Sequence, residues 1–380
     1  MAFIFVVLPP QKMRSCYFIF FLVFKLLTDF LCPGFCPASE ANYLKYKSFE
    51  GQYHYGYIWA HRPRVAHLTT GHTQGFEVSL QSQTDGSKWW HRVHGYPQTG
   101  VSIMYFDLAN PVVGNATAII SYINFPFVRS DHFQFSLQAG AGLGYLSRKF
   151  DPVTDHKNMG IGSHVNATIR FAFQTRYRLS KNIYAHLNYG ITHFSNAAFR
   201  LPNLGINNIS LAGGISYCFS EPQKFLVPEI PTLDKHWMAE FVYGTGVKEN
   251  FPPDGKQFFA HTFYIQVLKI LSHKSRVTAG VDGFYDLSLF RFVDDAVSTG
   301  DKHVKTFRGG IHGGYEMQVN RMTLLFHMGY YLVDHTKIDG QFYHRYGLKY
   351  ALGKHCFLNL SLKTHWARAD YAELGLGYRL

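Results

Sequence analysis

Residues 133–145 read FQFSLQAGAGLGY. Phe133, Phe135, Leu137, Ala139, Ala141, Leu143 and Tyr145 fall on one parity, and Gln134, Ser136, Gln138, Gly140, Gly142 and Gly144 on the other. Strand side chains point alternately to two faces, so this stretch reads as a strand with one apolar face and one polar or glycine face. Residues 164–179 repeat the pattern. Val165, Ala167, Ile169, Phe171, Phe173 and Tyr177 oppose His164, Asn166, Thr168, Arg170, Gln174, Arg176 and Arg178. Residues 307–319, 358–366 and 372–380 do the same. Segments of about ten residues with this alternation mark a transmembrane β-barrel. A soluble sandwich also alternates, but its polar faces look at water and seldom carry rows of Gly and Arg over such lengths.

Strand-like segments run at 51–60, 75–83, 97–109, 118–128, 133–147, 161–180, 182–195 and 207–219. A second series runs at 237–250, 257–270, 275–289, 303–320, 322–335, 340–353, 356–367 and 371–380. Sixteen is even, as a barrel with both termini on the inner side requires. With the first strand running outward, the inner turns at 129–131, 180–181, 321 and 353–355 are short, and the outer loops at 148–160, 196–206 and 290–302 are longer. That asymmetry is the barrel habit; the segment 84–96, inner but long, is the exception. Residues 220–236, with Pro222, Pro228 and Pro231, form the one proline-rich connector. The expected fold is all-β, a single outer-membrane antiparallel barrel of about sixteen strands over 39–380, with halves 50–220 and 237–380. The alternative is an eight-stranded barrel followed by a second β domain, divided at that connector.

Composition agrees. Of 380 residues, 16% are charged and 17% aromatic, and Gly numbers 34, which excludes a disordered chain. Arg14 precedes an apolar run over 16–24, and Cys36-Pro37-Ala38 or Ser39-Glu40-Ala41 offers small-residue cleavage sites. Residues 1–38 therefore read as a secretory signal peptide, with Lys25 and Asp29 breaking the run. Met13 is a second possible initiator. After the leader no run approaches the roughly 18 apolar residues of a membrane helix. Cys16, Cys32 and Cys36 leave with the leader, and Cys218 and Cys356 are too few to build a disulfide fold, so free thiols are expected. The formal charge of +12 suits anionic lipid headgroups. A nucleic-acid partner is not expected, because no long Lys/Arg run occurs and an exported chain meets little nucleic acid. The 21 histidines show no zinc-ligand spacing, and neither metal nor cofactor is expected.

Within this pattern, residues 183–219 read as a hairpin around a Pro/Asn/Gly loop. His193 and Ser195 share parity with Ala185, Leu187, Tyr189 and Ile191, so a base and a nucleophile stand at the outer end of a lipid-facing strand. On the returning strand Asn207 is in phase with Ile209, Leu211, Ile215, Tyr217 and Phe219, and if 193 faces 207 the amide touches the imidazole. A serine hydrolase needs a base near its hydroxyl and a group that fixes the base's tautomer. The backbone N–H groups of Asn196 and Ala197 and the Asn203 amide are candidate oxyanion donors. His-x-Ser in a strand is common by chance, and a histidine at the interface also serves as an anchor. His164 with Asn166 reads first as lumen lining. His61-Arg62-Pro63-Arg64 and Gly71-His72-Thr73 read as solvated loop residues able to meet phosphate.

The string His193-Phe194-Ser195-Asn196-Ala197, then Pro202-Asn203 and Gly205-Ile206-Asn207, resembles the active-site segment of the outer-membrane lipid A 3-O-deacylase family (PagL-like, also called acyloxyacyl hydrolases). The resemblance covers about thirty residues around the motif and, more loosely, 50–220; 221–380 has no counterpart in the small eight-stranded members. It implies His193 as base, Ser195 as nucleophile, Asn196 and Asn203 near the oxyanion, and lipid A or lipopolysaccharide in the outer leaflet as substrate. Arg148, Lys149 and Arg200 near the rim are then candidates to hold the glucosamine phosphates. One position departs from the family pattern: Asn207 stands where the family has a Glu. An amide can hold an imidazole tautomer but cannot stabilise an imidazolium by charge, so Asp151 and Asp155 are candidate acids from an outer loop. The opposing reading is a porin-like channel with a vestigial motif, since a sixteen-stranded barrel is wide enough to conduct.

Overall fold

The computed structural model describes residues 46–220, 224–251, 253, 255–293, 298–366 and 368–380. The expected signal peptide lies outside them. Each alternating segment becomes a strand, because the alternation lets one face meet lipid while the other packs inward. The first eight are β1 (Lys47–Ile58), β2 (His72–Gln83), β3 (Gln98–Asp107), β4 (Asn115–Arg129), β5 (Phe133–Leu146), β6 (Val165–Arg178), β7 (Ile183–Ser195) and β8 (Ile206–Cys218). The second eight are β9 (Trp237–Glu249), β10 (Gln257–Ile270), β11 (Ser275–Asp286), β12 (Phe307–Val319), β13 (Met322–Asp334), β14 (Phe342–Ala351), β15 (Cys356–His365) and β16 (Arg368–Arg379).

The sixteen strands close as two barrels of eight, which corrects the expected single barrel in favour of its alternative. β8 returns to β1, from Ser48↔Cys218 to Ile58↔Asn208, and β16 returns to β9, from Leu374↔Thr245 to Arg379↔Glu240. A single barrel would need β8 to bond β9 across a short inner turn. The chain instead leaves β8 through the connector, which passes under both barrels. Leu226 N–H donates to the Asp85 carbonyl at 2.8 Å, and the His273 ring reaches the Pro231 carbonyl at 2.8 Å.

Eight strands enclose a lumen that side chains fill, and both lumens are packed this way. In the first barrel His54 Nε2 lies 2.9 Å from Glu77, and Arg170 Nε donates to Gln138 at 2.7 Å. In the second, Arg345 bridges Asp282 and Glu373 at 2.9 and 3.0 Å, and Lys349 holds Glu240 at 2.6 Å. All these side chains are buried. The wide lumen on which the channel reading rested is replaced by two packed interiors. Outward, Phe76, Ile103, Phe171 and Leu187 on the first barrel and Phe241, Ile265 and Val281 on the second are exposed apolar residues, the lipid-facing band.

The barrels touch at both ends. The long inner segment 84–96 contains a short helix, α1 (Trp89–Val93), whose Trp90 packs with Ile123 and Val319 and against Met322 and Tyr350. The His94 ring donates to the Gln318 carbonyl at 3.0 Å. The segment that fitted a simple turn poorly is thus a wedge between barrels. Cys218 and Cys356 are both free, as expected, one on each barrel.

Candidate functional site

β7 carries the site because its two neighbours set its register. Ala167 of β6 lies opposite Ser195, and Asn207 of β8 opposite His193. Leu187 and Tyr189 are exposed, whereas Thr192 and Phe194 are fully buried in the lumen. His193 and Ser195 therefore stand on the lipid-facing side, at its outer rim, and are half-buried by the loop above them.

After Ser195 the chain turns sharply. Ala197 and Ala198 take φ of 55° and 61°, a left-handed conformation that costs a non-glycine residue about 1–2 kcal/mol. The turn brings the Ala197 N–H back to Ser195 Oγ at 3.3 Å. Asn203 Nδ2 donates to the same oxygen at 3.0 Å. Asn203 Oδ1 accepts the Asn196 N–H at 3.0 Å and the Ser195 hydroxyl at 3.3 Å. Of the three expected oxyanion donors, two thus converge on Ser195 Oγ, and the Asn196 N–H is committed to Asn203. The Asn196 side chain donates to Ser163 Oγ at 2.9 Å, which donates on to Asn166 at 3.1 Å. Asn166 thereby supports the site from behind. His164 stacks on Tyr145 and donates to the Leu146 carbonyl at 2.8 Å, a structural role.

His193 Nδ1 lies 2.5 Å from Asn207 Oδ1, the contact the hairpin register requires. Among the described residues no hydrogen bond joins His193 to Ser195, whose hydroxyl rests on Asn203 instead. Catalytic hydrogen bonds are often unformed until substrate arrives. Gly205, at φ +81°, lies directly against the imidazole; a Cβ built there falls 2.6 Å from His193 Cε1. Only glycine leaves the ring this room.

Other candidates fall elsewhere. Asp151 accepts the N–H groups of Val153 and Thr154 at 2.9 and 2.7 Å, and those bonds hold its carboxyl below the ordinary carboxylate range. It pairs by backbone with Asp155, so both serve their own turn. Arg148 is exposed and Lys149 half-buried on the same loop. Arg200 leans toward Glu249 at 3.8 Å with its side chain 39% exposed.

Two partners were not read from the sequence as parts of the site. His61 reaches over from the loop after β1, with Nδ1 2.9 Å from Asn207 Nδ2 and Nε2 3.0 Å from the Leu204 carbonyl. Glu249, at the end of β9, accepts the Leu201 N–H at 2.9 Å and the Gly255 N–H at 2.7 Å, while its own N–H donates to the Ala198 carbonyl at 3.0 Å. Gln257 adds a bond to the Phe199 carbonyl at 2.9 Å. The second barrel therefore grips the loop that carries Ala197 and Asn203.

Fold and site together define an outer-membrane β-barrel protein with a Ser/His/Asn cluster on its lipid-facing rim. Residues 74–216 match the family model described as lipid A 3-O-deacylase (PagL), and residues 237–380 match the acyloxyacyl hydrolase C-terminal domain. The chain belongs to this PagL/acyloxyacyl hydrolase family, one model falling on each barrel. No curated protein matches it. Among solved structures, the outer membrane enzyme PagL is 18% identical, covering 43% of this chain and 97% of its own at a TM-score of 0.31. Neisserial surface protein A (NspA) is 11% identical, covering 46% and 97% at 0.33. A Rhodopseudomonas blastica porin is 8% identical, covering 88% and 99% at 0.19.

Proposed function

We propose that this protein is a serine esterase of the cell outer membrane that removes an acyl chain from lipid A. The observation that carries the proposal is the convergence of the Ala197 N–H and the Asn203 amide on Ser195 Oγ, beside an imidazole tied through Nδ1 to Asn207. The family's substrate and the lipid-facing position support the same reading.

In this mechanism the Ser195 hydroxyl swings from Asn203 to His193 Nε2. The imidazole takes its proton as Oγ attacks the acyl carbonyl. Negative charge develops on the carbonyl oxygen, where the Ala197 N–H and Asn203 Nδ2–H stabilise it. The C–O bond to the sugar breaks, and the sugar alkoxide takes the proton back from His193. Water, giving a proton to the same imidazole, then attacks the acyl-serine; the acyl–Oγ bond breaks, Ser195 Oγ takes that proton back from His193, and the fatty acid leaves. Arg148, Lys149 and the exposed part of Arg200 hold the phosphates of the lipid. The site lies where the acyl chains of an outer-leaflet lipid begin, so the substrate need not leave the membrane.

A lipophilic fluorophosphonate tests the nucleophile. Peptide mapping should find the adduct on Ser195, absent from Ser195→Ala and reduced at least about tenfold in His193→Ala. Equal labelling of the wild type and Ser195→Ala would reject the assignment.

A further inference from the structure

Asn207 poses a problem that a carboxylate would not: its amide can be turned either way, and only one way leaves His193 competent. With Oδ1 toward His193, Nδ1 of the imidazole carries the proton and Nε2 offers its lone pair to Ser195. With Nδ2 toward His193, Nδ1 must accept, the proton moves to Nε2, and the base is lost.

The surroundings decide between the two. The Trp59 N–H donates to the Asn207 carbonyl at 2.8 Å, continuing the β1–β8 ladder past the strand end and carrying His61 over the Asn207 side chain. His61 Nε2 lies 3.0 Å from the Leu204 carbonyl oxygen, which can only accept, so Nε2 bears the hydrogen. Its Nδ1 is then a lone pair and takes a hydrogen bond from Asn207 Nδ2 at 2.9 Å. That fixes the amide with Oδ1 on His193 Nδ1 at 2.5 Å. The Trp59 carbonyl, 3.3 Å from His61 Nδ1, is the poorer partner because it would require a hydrogen there.

We infer that His61 is a positioning residue for the esterase site: through the chain Leu204 carbonyl, His61, Asn207, His193 it sets the catalytic tautomer that the family's Glu would impose directly. The chain also polarises the Asn207 amide, so its oxygen better meets the imidazolium formed during attack. This inference rests on the proposed esterase mechanism for its kinetic consequence, while the tautomer itself does not depend on that mechanism.

The test uses the full chain in detergent micelles with imidazole-15N histidine, the His193 signals being assigned by difference from His193→Gln. In the wild type, Nδ1 of His193 should give the protonated-nitrogen shift and Nε2 the bare-nitrogen shift. His61→Leu should mix the two tautomers. His61→Gln, whose amide can both donate to Leu204 and accept from Asn207, should preserve the wild-type pattern. On lipid A micelles His61→Leu should lower kcat roughly three- to tenfold with KM unchanged, since about half the amides would face the wrong way and the imidazolium would lose its fixed acceptor. Asn207→Glu should make the site indifferent to His61, so that Asn207→Glu with His61→Leu matches Asn207→Glu alone. An unchanged His193 tautomer in His61→Leu, or the same kcat loss when His61→Leu is added to Asn207→Glu, overturns the inference. A wild type that releases no fatty acid while its His193 tautomer still follows His61 rejects the esterase reading and leaves the relay standing.

Discussion

At the scale of single residues, the site turns on an amide where charge would serve better. Asn207 holds the His193 ring but offers no negative charge to the imidazolium. Asn207→Glu should therefore raise kcat on the order of tenfold, equivalent to about 1.4 kcal/mol of transition-state stabilisation. A fall in kcat with the barrel intact would show that the amide is the better partner here. Gly205→Ala should act oppositely. Its methyl group would meet His193 Cε1, and a displaced base costs roughly a hundredfold in rate; unchanged kcat would show that the ring has room to move. The contact of His193 with Asn207 was legible in the sequence, because counting parity through the hairpin puts 193 opposite 207. His61 was not. Its reach to Asn207 depends on how the loop after β1 folds over the loop before β8, and no periodicity reports that.

At the scale of elements, the decisive piece is the loop 196–205. Its backbone is strained at Ala197 and Ala198 and is held from two sides, by Ser163 of the first barrel and by Glu249 of the second. Leaving a buried N–H without its partner costs about 1–3 kcal/mol. Glu249→Ala should accordingly lower kcat about tenfold and speed proteolytic cleavage within the loop, while Glu249→Gln, which still accepts from Leu201, should lose less. Equal activity of Glu249→Ala and wild type would mean that the loop keeps its shape unaided. The strands of the hairpin and the Pro-Asn loop were legible because alternation and turn residues are local signals. The clamp was not, since Glu249 belongs to the far barrel and reads as a strand-end carboxylate.

At the scale of the whole molecule, sixteen strands were countable but their closure was not. Alternation says which face of each strand meets lipid; it does not say which strand bonds to which. The proline-rich connector was the available signal for two barrels, since every other inner link except the one now seen as the α1 wedge is short. That wedge brings a pH dependence with it. Burial pushes the His94 imidazole down to about 4, nearby Lys274 pushes the same way, and the Gln318 carbonyl opposes them. His91, on α1, is also pushed down to about 4 by burial, with Asp85 opposing and Lys88 assisting. The undocked histidines, near their ordinary value of about 6.5, take up protons first. Docking is therefore fully stabilised above about 6.5 and weakens as the pH falls toward 4. Hydrogen exchange over 86–96 and 317–322 should speed up across that window, and His94→Gln should reduce the effect; flat exchange from pH 7 to 4 would contradict the wedge.

If Ser195 and His193, on the lipid-facing rim, cut an acyl ester of lipid A as proposed, the lipid itself records the cut. Mass spectrometry of lipid A from Gram-negative cells expressing the wild type, Ser195→Ala or His193→Ala, each folded in the outer membrane, reads that directly. Lipid A should lack one acyl chain with the wild type alone. Identical spectra from all three would contradict it.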